Sequence, residues 1–176
     1  MKIFRISPLL FAIAMFSITL YSQGQNNSQS EEQIKVIRSK FTEINTAGSL
    51  KTCVVKVLDL EGESTEGGQA KAYFIEDKIG KTSVEYFGET GKLYTEFYYS
   101  ENQLIFCFVK KTNYDLPISV EGSKEIESIE DRFYFSDNKM IRWLKNDKSK
   151  ANLSTQESKD KELEILKDSK EIYDKF

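Results

Sequence analysis

The sequence predicts an α+β fold, a curved antiparallel β-meander of about seven strands flanked by an N-terminal and a C-terminal helix. A short pattern recurs in which two aromatic residues are followed by a carboxylate, turn residues and an aliphatic residue. Its copies begin at Tyr73, Tyr86, Tyr98 and Tyr134. A step of about 12 residues between neighbouring copies is one strand plus one turn. Apolar residues at helical spacing lie before and after these copies, which indicates the two flanking helices.

The N-terminal helix is predicted over residues 31–46. Its apolar positions are three or four residues apart, at Ile34, Ile37, Phe41 and Ile44. Ser30 with Gln33 has the spacing of a capping box, and Gly48 falls where a left-handed C-cap would end the helix.

The C-terminal helix is predicted over residues 156–173, with a second capping box at Ser154 and Glu157. Its apolar face is predicted from Leu163, Leu166, Tyr173 and Phe176, with Ile172 beside it. Charged residues fill the other positions, so we expect one stripe of this helix to pack on the sheet.

Strand propensity and alternation predict strands over 52–60, 69–76, 81–87, 92–100, 103–111, 131–136 and 139–145. The fifth run is apolar on both faces, which predicts a central strand or one that faces a cavity. Between the fifth and sixth strands, residues 112–130 predict a short helix or an irregular excursion. Positive φ angles are expected at Asn102, Asn138 and Gly91 in the turns.

The N-terminus predicts export. Lys2 and Arg5 precede an apolar run over 6–21, and Ser22-Gln23-Gly24 offers small residues for cleavage. We interpret residues 1–24 as a signal peptide, 25–30 as a linker and 31–176 as a single domain. The expected location is periplasmic or secreted, and the chain is not expected to span a membrane once the signal is removed.

The chain carries 28 acidic and 25 basic residues, a net charge of −3, without a basic cluster, so nucleic acid is not an expected partner. Export permits a disulfide between Cys53 and Cys107. A buried free cysteine is equally ordinary in a strand, and geometry decides between the two.

The sequence contains no histidine, which excludes histidine-dependent triads and histidine-ligated metal sites. We therefore expect no catalytic residues, no metal and no cofactor. The acidic loop with Asp59, Glu61, Glu63 and Glu66 departs from the EF-hand template. One enzymatic alternative is a carboxylate-based glycan hydrolase that uses Glu96, which stands between Tyr94 and Tyr98.

The leading hypothesis is a non-enzymatic binding or interaction protein of the bacterial envelope. Its aromatic sheet face would contact an apolar ligand or a protein partner. The expected contact residues are Tyr94, Tyr98, Tyr99, Phe106, Phe108 and Trp143. An inhibitor or immunity-like protein is a further alternative.

The units Tyr86–Leu93 and Tyr98–Leu104 resemble the aromatic hairpin repeats of exported MORN-type proteins. The similarity extends over about 60 residues between Tyr73 and Leu144, once the excursion is left out. The whole chain also resembles small uncharacterised exported proteins of Gram-negative bacteria. These resemblances imply a scaffolding or interaction role, and they carry no catalytic residues to this sequence.

Overall fold

The computed structural model describes residues 29–48, 53–62, 64 and 66–176. The predicted signal peptide and most of the predicted linker lie outside the described residues. The chain divides into two compact units, Met1–Val36 and Ile37–Phe176. In the first unit, residues 29–36 are described, and they are helical. The second unit holds the remainder of that helix, the sheet and the C-terminal helix.

The second unit contains one antiparallel sheet of seven strands that lie side by side in chain order. Each strand pairs with the next, so the predicted fold class is confirmed. The fifth strand lies inside the sheet, as its two apolar faces predict. The strands are β1 (Val54–Asp59), β2 (Gly68–Ile75), β3 (Lys78–Phe87), β4 (Gly91–Ser100), β5 (Gln103–Tyr114), β6 (Glu125–Ser136) and β7 (Lys139–Leu144).

Three of the four predicted repeats form equivalent hairpins. Two residues with positive φ, between 48° and 64°, connect the strands of each hairpin. They are Glu76-Asp77, Glu101-Asn102 and Asp137-Asn138. Positive φ at both positions is the requirement of a type I′ turn, whose twist matches that of the flanking strands. The expected positive φ at Asn102 and Asn138 is therefore confirmed.

Each of these hairpins contains a bulge inside its aromatic pair. The strand pairing shifts between Tyr73 and Phe74, between Tyr98 and Tyr99, and between Tyr134 and Phe135. The second aromatic then lies opposite the aliphatic residue that closes the repeat, as Phe74 does with Ile79, Tyr99 with Leu104 and Phe135 with Met140. A bulge increases the local twist of a strand. The structural repeat is therefore a two-stranded hairpin.

The copy at Tyr86 is not equivalent to the other three. Tyr86 and Phe87 end β3 at the opposite end of the sheet, and residues 88–90 connect β3 to β4. The Gly88 amide donates to the Gly91 carbonyl at 2.8 Å, which closes this turn. Gly91 starts β4 without a positive φ, so the prediction for Gly91 is wrong.

The connection between β5 and β6 is shorter than predicted. Strand β5 continues to Tyr114 and β6 begins at Glu125, which leaves residues 115–124 as the connection. The predicted break over 112–130 is therefore wrong at both ends, since pairing along the two strands overrides the weak local signal. The loop rests on the β3–β4 turn, where the Ile118 amide donates to the Glu89 carbonyl at 2.9 Å.

The C-terminal helix α2 spans Gln156–Tyr173, as predicted. Its N-cap is Thr155, whose hydroxyl accepts from the Ser158 amide at 3.2 Å, so the predicted cap at Ser154 is wrong by one residue. The predicted apolar face is rotated, because Leu163 is 64% exposed. The buried stripe consists of Ser158, Ile165, Ser169 and Ile172.

The N-terminal helix α1 spans residues 29–48 and is longer than predicted. Ser30 follows a helical residue and Gly48 is helical without positive φ, so both predicted caps are wrong. Ile37 and Ile44 are buried. Phe41 packs on Tyr98 and Phe106, with ring centroids 4.8 and 5.4 Å away. Among the described residues, no helix has the length and apolar character needed to span a membrane.

Cys53 and Cys107 are free thiols. Cys53 directly precedes β1, and Cys107 lies in β5, four strands further across the sheet. Neighbouring strands are about 4.8 Å apart, whereas a disulfide needs Cα atoms within about 7 Å. This separation rules out the disulfide that the sequence left open.

Candidate functional site

The six aromatic residues predicted as a contact surface are divided between the two faces of the sheet. We call the face on which Phe41 of α1 packs the α1 face, and the opposite one the α2 face. The α2 face holds Tyr99 and Trp143, both buried. The α1 face holds Tyr98 and Phe106, which are buried, and Tyr94 and Phe108, which are half-buried. The structure therefore brings four of the six together, without forming one open aromatic surface.

Glu96 is the centre of a polar cluster on the α1 face. Its carboxylate accepts hydrogen bonds from Lys81 Nζ at 2.5 Å, from the Tyr94 hydroxyl at 2.7 Å and from the Tyr98 hydroxyl at 2.8 Å. The Asn45 amide oxygen of α1 lies 3.2 Å from the Tyr98 hydroxyl. The Lys81 and Glu96 side chains are 12% and 14% exposed, so the ion pair is largely shielded from water.

The strand register assembles this Glu96 cluster. Tyr94, Glu96 and Tyr98 alternate along β4 and therefore share one face. Lys81 lies directly opposite Tyr98 on β3. Its ammonium is also 5.1 Å from the ring centroid of Tyr73 and 5.2 Å from that of Tyr98, which adds cation–π attraction.

The Glu96 cluster keeps its carboxylate ionised. Burial raises the pKa of Glu96, but the hydrogen bonds from Lys81 and Tyr94, the charge of Lys81 and the bond from Tyr98 together bring that pKa below its ordinary value. Burial and the adjacent carboxylate raise the pKa of Tyr94 and Tyr98. Both phenols therefore stay neutral and remain donors to Glu96 at neutral pH.

This protonation pattern bears on the hydrolase alternative. Glycoside hydrolysis requires one carboxylic acid whose pKa is raised, so that it can donate a proton to the leaving group. The pKa of Glu96 is lowered instead, and three donors already form hydrogen bonds with its carboxylate oxygens. The arrangement is suited to holding β3, β4 and α1 together.

Trp143 lies in the core of the α2 face. Its ring is 5.3 Å from that of Phe133, and Lys145 Nζ lies 5.0 Å from its centroid. The indole Nε1 is buried and has no hydrogen-bond partner among the residues that the structure describes. In this position the ring faces the core and does not present a platform to a ligand.

A groove of 540 Å³ opens on the α2 face, between the sheet and the C-terminal half of α2. We call it the α2 groove. Ligand sites typically enclose roughly 300–1,000 Å³. The sheet lines it with Val84, Tyr86, Leu93, Thr95 and Phe97, and the helix lines it with Asp168, Glu171, Ile172, Asp174 and Lys175.

A glycine on β2 makes room for one wall of the α2 groove. Gly68 lies opposite Tyr86 in the sheet. A Cβ atom at Gly68 would come within 2.9 Å of Tyr86 Cδ1 and 2.8 Å of the Glu85 carbonyl oxygen. Glycine is therefore the residue that lets the Tyr86 ring lie against the backbone of β2.

The helix wall of the α2 groove is acidic. Glu171 and Asp174 each pair with a lysine of the same helix, Glu171 with Lys167 at 3.6 Å and Asp174 with Lys170 at 2.5 Å. Asp168 has no hydrogen bond or ion pair with a residue that the structure describes. Burial and the neighbouring carboxylates of Glu164 and Glu171 raise the pKa of Asp168.

Further grooves lie beside both helices. One of 480 Å³ lies on the other side of α2 and carries the amide side chains of Asn102, Gln103 and Asn138. The other, of 210 Å³, lies beside Ile44 of α1 and the β2–β3 turn. Within the described part of the chain, no group of three or more His, Cys, Asp or Glu side chains is placed to hold a metal ion. Glu63 of the acidic loop lies outside that part.

Comparison with known proteins gives no match, since no family model, no curated protein and no solved structure is similar to this chain.

Sequence reasoning did not find the α2 groove. None of the predicted aromatic contact residues lines it. The available signal was Asp168, an acidic residue three positions from Ile165 and four from Ile172 on the buried stripe of α2. A carboxylate so close to an apolar stripe indicates a half-exposed edge of the helix.

Proposed function

We propose that this chain is a non-enzymatic binding protein of the bacterial envelope that takes an apolar ligand into the α2 groove. The observation that carries the proposal is the groove itself, 540 Å³ in volume with an apolar floor. Placement in the envelope rests on the signal peptide predicted over residues 1–24.

The floor of the α2 groove supports an apolar ligand. Val84 and Phe97 are 2% and 3% exposed and belong to the core, so they form the buried base of the groove. Leu93, at the edge, is 38% exposed. A ligand that covers Leu93 and Tyr86 removes apolar surface from water on both sides of the contact. Each buried methylene contributes about 0.8 kcal/mol.

An apolar fluorescent probe tests this proposal. N-phenyl-1-naphthylamine gains fluorescence when it leaves water, so titration of the purified exported chain measures its binding. Leu93→Trp fills the groove and is expected to weaken binding at least tenfold. Ile126→Trp is the matched control, because Ile126 is an exposed strand residue, 66% accessible, that does not line the groove.

Two results would contradict the proposal. One is the absence of saturable probe binding to the wild-type chain. The other is equal binding by Leu93→Trp and Ile126→Trp, which would place the probe elsewhere. Circular dichroism and thermal melts of both variants establish that the fold is retained.

A protein partner is the second candidate, and the edge strand β1 favours it. β1 pairs with β2 alone among the described strands. Its aliphatic residues Val54, Val55, Val57 and Leu58 are 63%, 44%, 55% and 37% exposed. An exposed apolar edge strand can accept an extended segment of another protein. Crosslinking in the envelope, with Val57→Lys against Ile126→Lys as control, tests whether β1 carries such a contact.

A further inference from the structure

The α2 groove combines an apolar sheet wall with a charged helix wall. Three carboxylates, those of Asp168, Glu171 and Asp174, line the helix side against one lysine, Lys175. They are three residues apart along α2 and therefore follow one side of the helix. The groove thus has negative charge on one side and apolar surface on the other.

Asp168 is the carboxylate of this wall that has no partner within the described part of the chain. The lysines next to it in the sequence serve other acids: Lys167 pairs with Glu171 and Lys170 with Asp174. Glu164 and Glu171 repel the Asp168 carboxylate, whereas Lys167 and Lys161 attract it. A cation placed beside Asp168 would relieve this repulsion.

The C-terminal end of α2 also favours a cation in the groove. Asp174 is the C-cap residue of the helix, so the groove lies at the helix C-terminus. The carbonyl groups at a helix C-terminus carry partial negative charge and attract cations. The helix end, Asp168 and the partly neutralised acids Glu171 and Asp174 all favour a positive group at this wall.

We infer that the α2 groove selects amphiphiles with a cationic ammonium head group over neutral or anionic amphiphiles of the same chain length. The apolar chain lies on Val84, Leu93 and Phe97, and the ammonium lies beside Asp168. This inference rests on the proposed function, because it names the class of ligand that the groove takes.

Three probes with the same ten-carbon chain test the inference. They are decyltrimethylammonium, decyl maltoside and decanoate, which carry a positive, a neutral and a negative head group. Isothermal titration calorimetry of the full exported chain, below the micellar concentrations and near 0.15 M salt, gives each affinity. At this ionic strength, attraction to distant surface charge is largely screened. We expect the cation to bind at least tenfold more tightly than the maltoside, and decanoate to bind most weakly.

Two variants test whether the preference for a cationic head group depends on Asp168. Asp168→Asn keeps the shape of the side chain and removes a carboxylate without a partner, so the fold should be retained. It is expected to reduce the affinity for decyltrimethylammonium about tenfold and to leave that for decyl maltoside unchanged. Glu121→Gln, in the exposed loop over 115–124, removes one negative charge outside the groove and should change neither affinity.

The outcomes separate the inference from the proposed function. If all three probes bind with equal affinity and Leu93→Trp abolishes that binding, the apolar groove is supported and the charge selectivity is overturned. Binding of the cation that survives both Leu93→Trp and Asp168→Asn would overturn the inference, because the cation would be bound elsewhere on the acidic surface. A lack of binding by all three probes would overturn the proposed function as well.

Discussion

Tyr98 and Tyr99 are neighbours on β4, yet their hydroxyls lie in opposite environments. Tyr98 points to the α1 face, where its hydroxyl bonds the ionised carboxylate of Glu96 at 2.8 Å. Tyr99 points to the α2 face, where its hydroxyl donates to the Ser169 carbonyl at 3.1 Å and lies 3.1 Å from the Thr82 hydroxyl. The hydroxyl of Tyr98 therefore belongs to a charged cluster, whereas that of Tyr99 bonds neutral groups in an apolar core.

One strand therefore contacts two helices through different kinds of interaction. The polar contacts of the α1 face depend on the ionisation of Glu96, so they respond to acid. The α2 face contains the continuous hydrophobic core, which includes Phe97, Phe133 and Phe135. Burial raises the pKa of Tyr99 to about 12, so its neutral contacts persist until strongly alkaline pH.

Truncating a buried ring in the core of the α2 face should destabilise the protein most. Phe135 is 0% exposed, and Phe135→Ala should lower the free energy of unfolding by about 3–5 kcal/mol, since it removes buried surface and leaves a cavity. Urea denaturation measures this loss. Phe108→Ala is the matched control on the α1 face, where the ring is half-buried, and it should cost less than half as much. Equal losses would contradict the assignment of the main core to the α2 face.

Loss of the Lys81–Glu96 ion pair on the α1 face should have the next largest effect on stability. Glu96→Gln leaves the shielded Lys81 without its counter-charge and should cost about 2–3 kcal/mol at neutral pH. Lys81→Met combined with Glu96→Gln should recover part of this loss, because no unpaired charge then remains. A double variant less stable than Glu96→Gln alone would contradict the argument.

The stability of Glu96→Gln relative to the wild type should also depend on pH. The folded pKa of Glu96 lies below its ordinary value, so the carboxylate contributes stability above the pKa of the unfolded chain. That contribution is lost as the pH falls through the folded pKa. The difference in unfolding free energy between wild type and Glu96→Gln should therefore shrink on acidification. A difference that is constant between neutral and acid pH would show that the cluster does not act through its charge.

Removing the hydroxyl of Tyr98 or of Tyr99 should have the smallest effect on stability. Tyr98→Phe removes a hydrogen bond to a charged acceptor and should cost about 2 kcal/mol, whereas Tyr99→Phe removes neutral bonds and should cost about 1 kcal/mol. Thermal melts at neutral pH rank the two variants. At acid pH the cost of Tyr98→Phe should fall while that of Tyr99→Phe stays constant. The reverse ranking would place the stronger bond on the α2 face.

Much of the fold was predictable because it depends on local pattern. The hairpins at Glu101-Asn102 and Asp137-Asn138 follow from turn chemistry, and the bounds of α2 follow from its apolar spacing and polar flanks. The Tyr86 copy shows that the repeat pattern alone does not predict the position of a hairpin. The same residue types occur in this copy, yet they lie at the opposite end of the sheet. The face of α2 was mispredicted because two of its four buried residues are serines, whose burial depends on partners such as the Tyr99 hydroxyl.

The α+β class, the order of the elements and the absence of histidine chemistry could all be read from the amino-acid sequence. These follow from residue types and their spacing along the chain. Three features required the folded structure: the face that each aromatic occupies, the pairing of Lys81 with Glu96, and the groove that α2 leaves beside Leu93. Each of these depends on strand register and on where a helix crosses the sheet, and both are set by contacts between residues far apart in the chain.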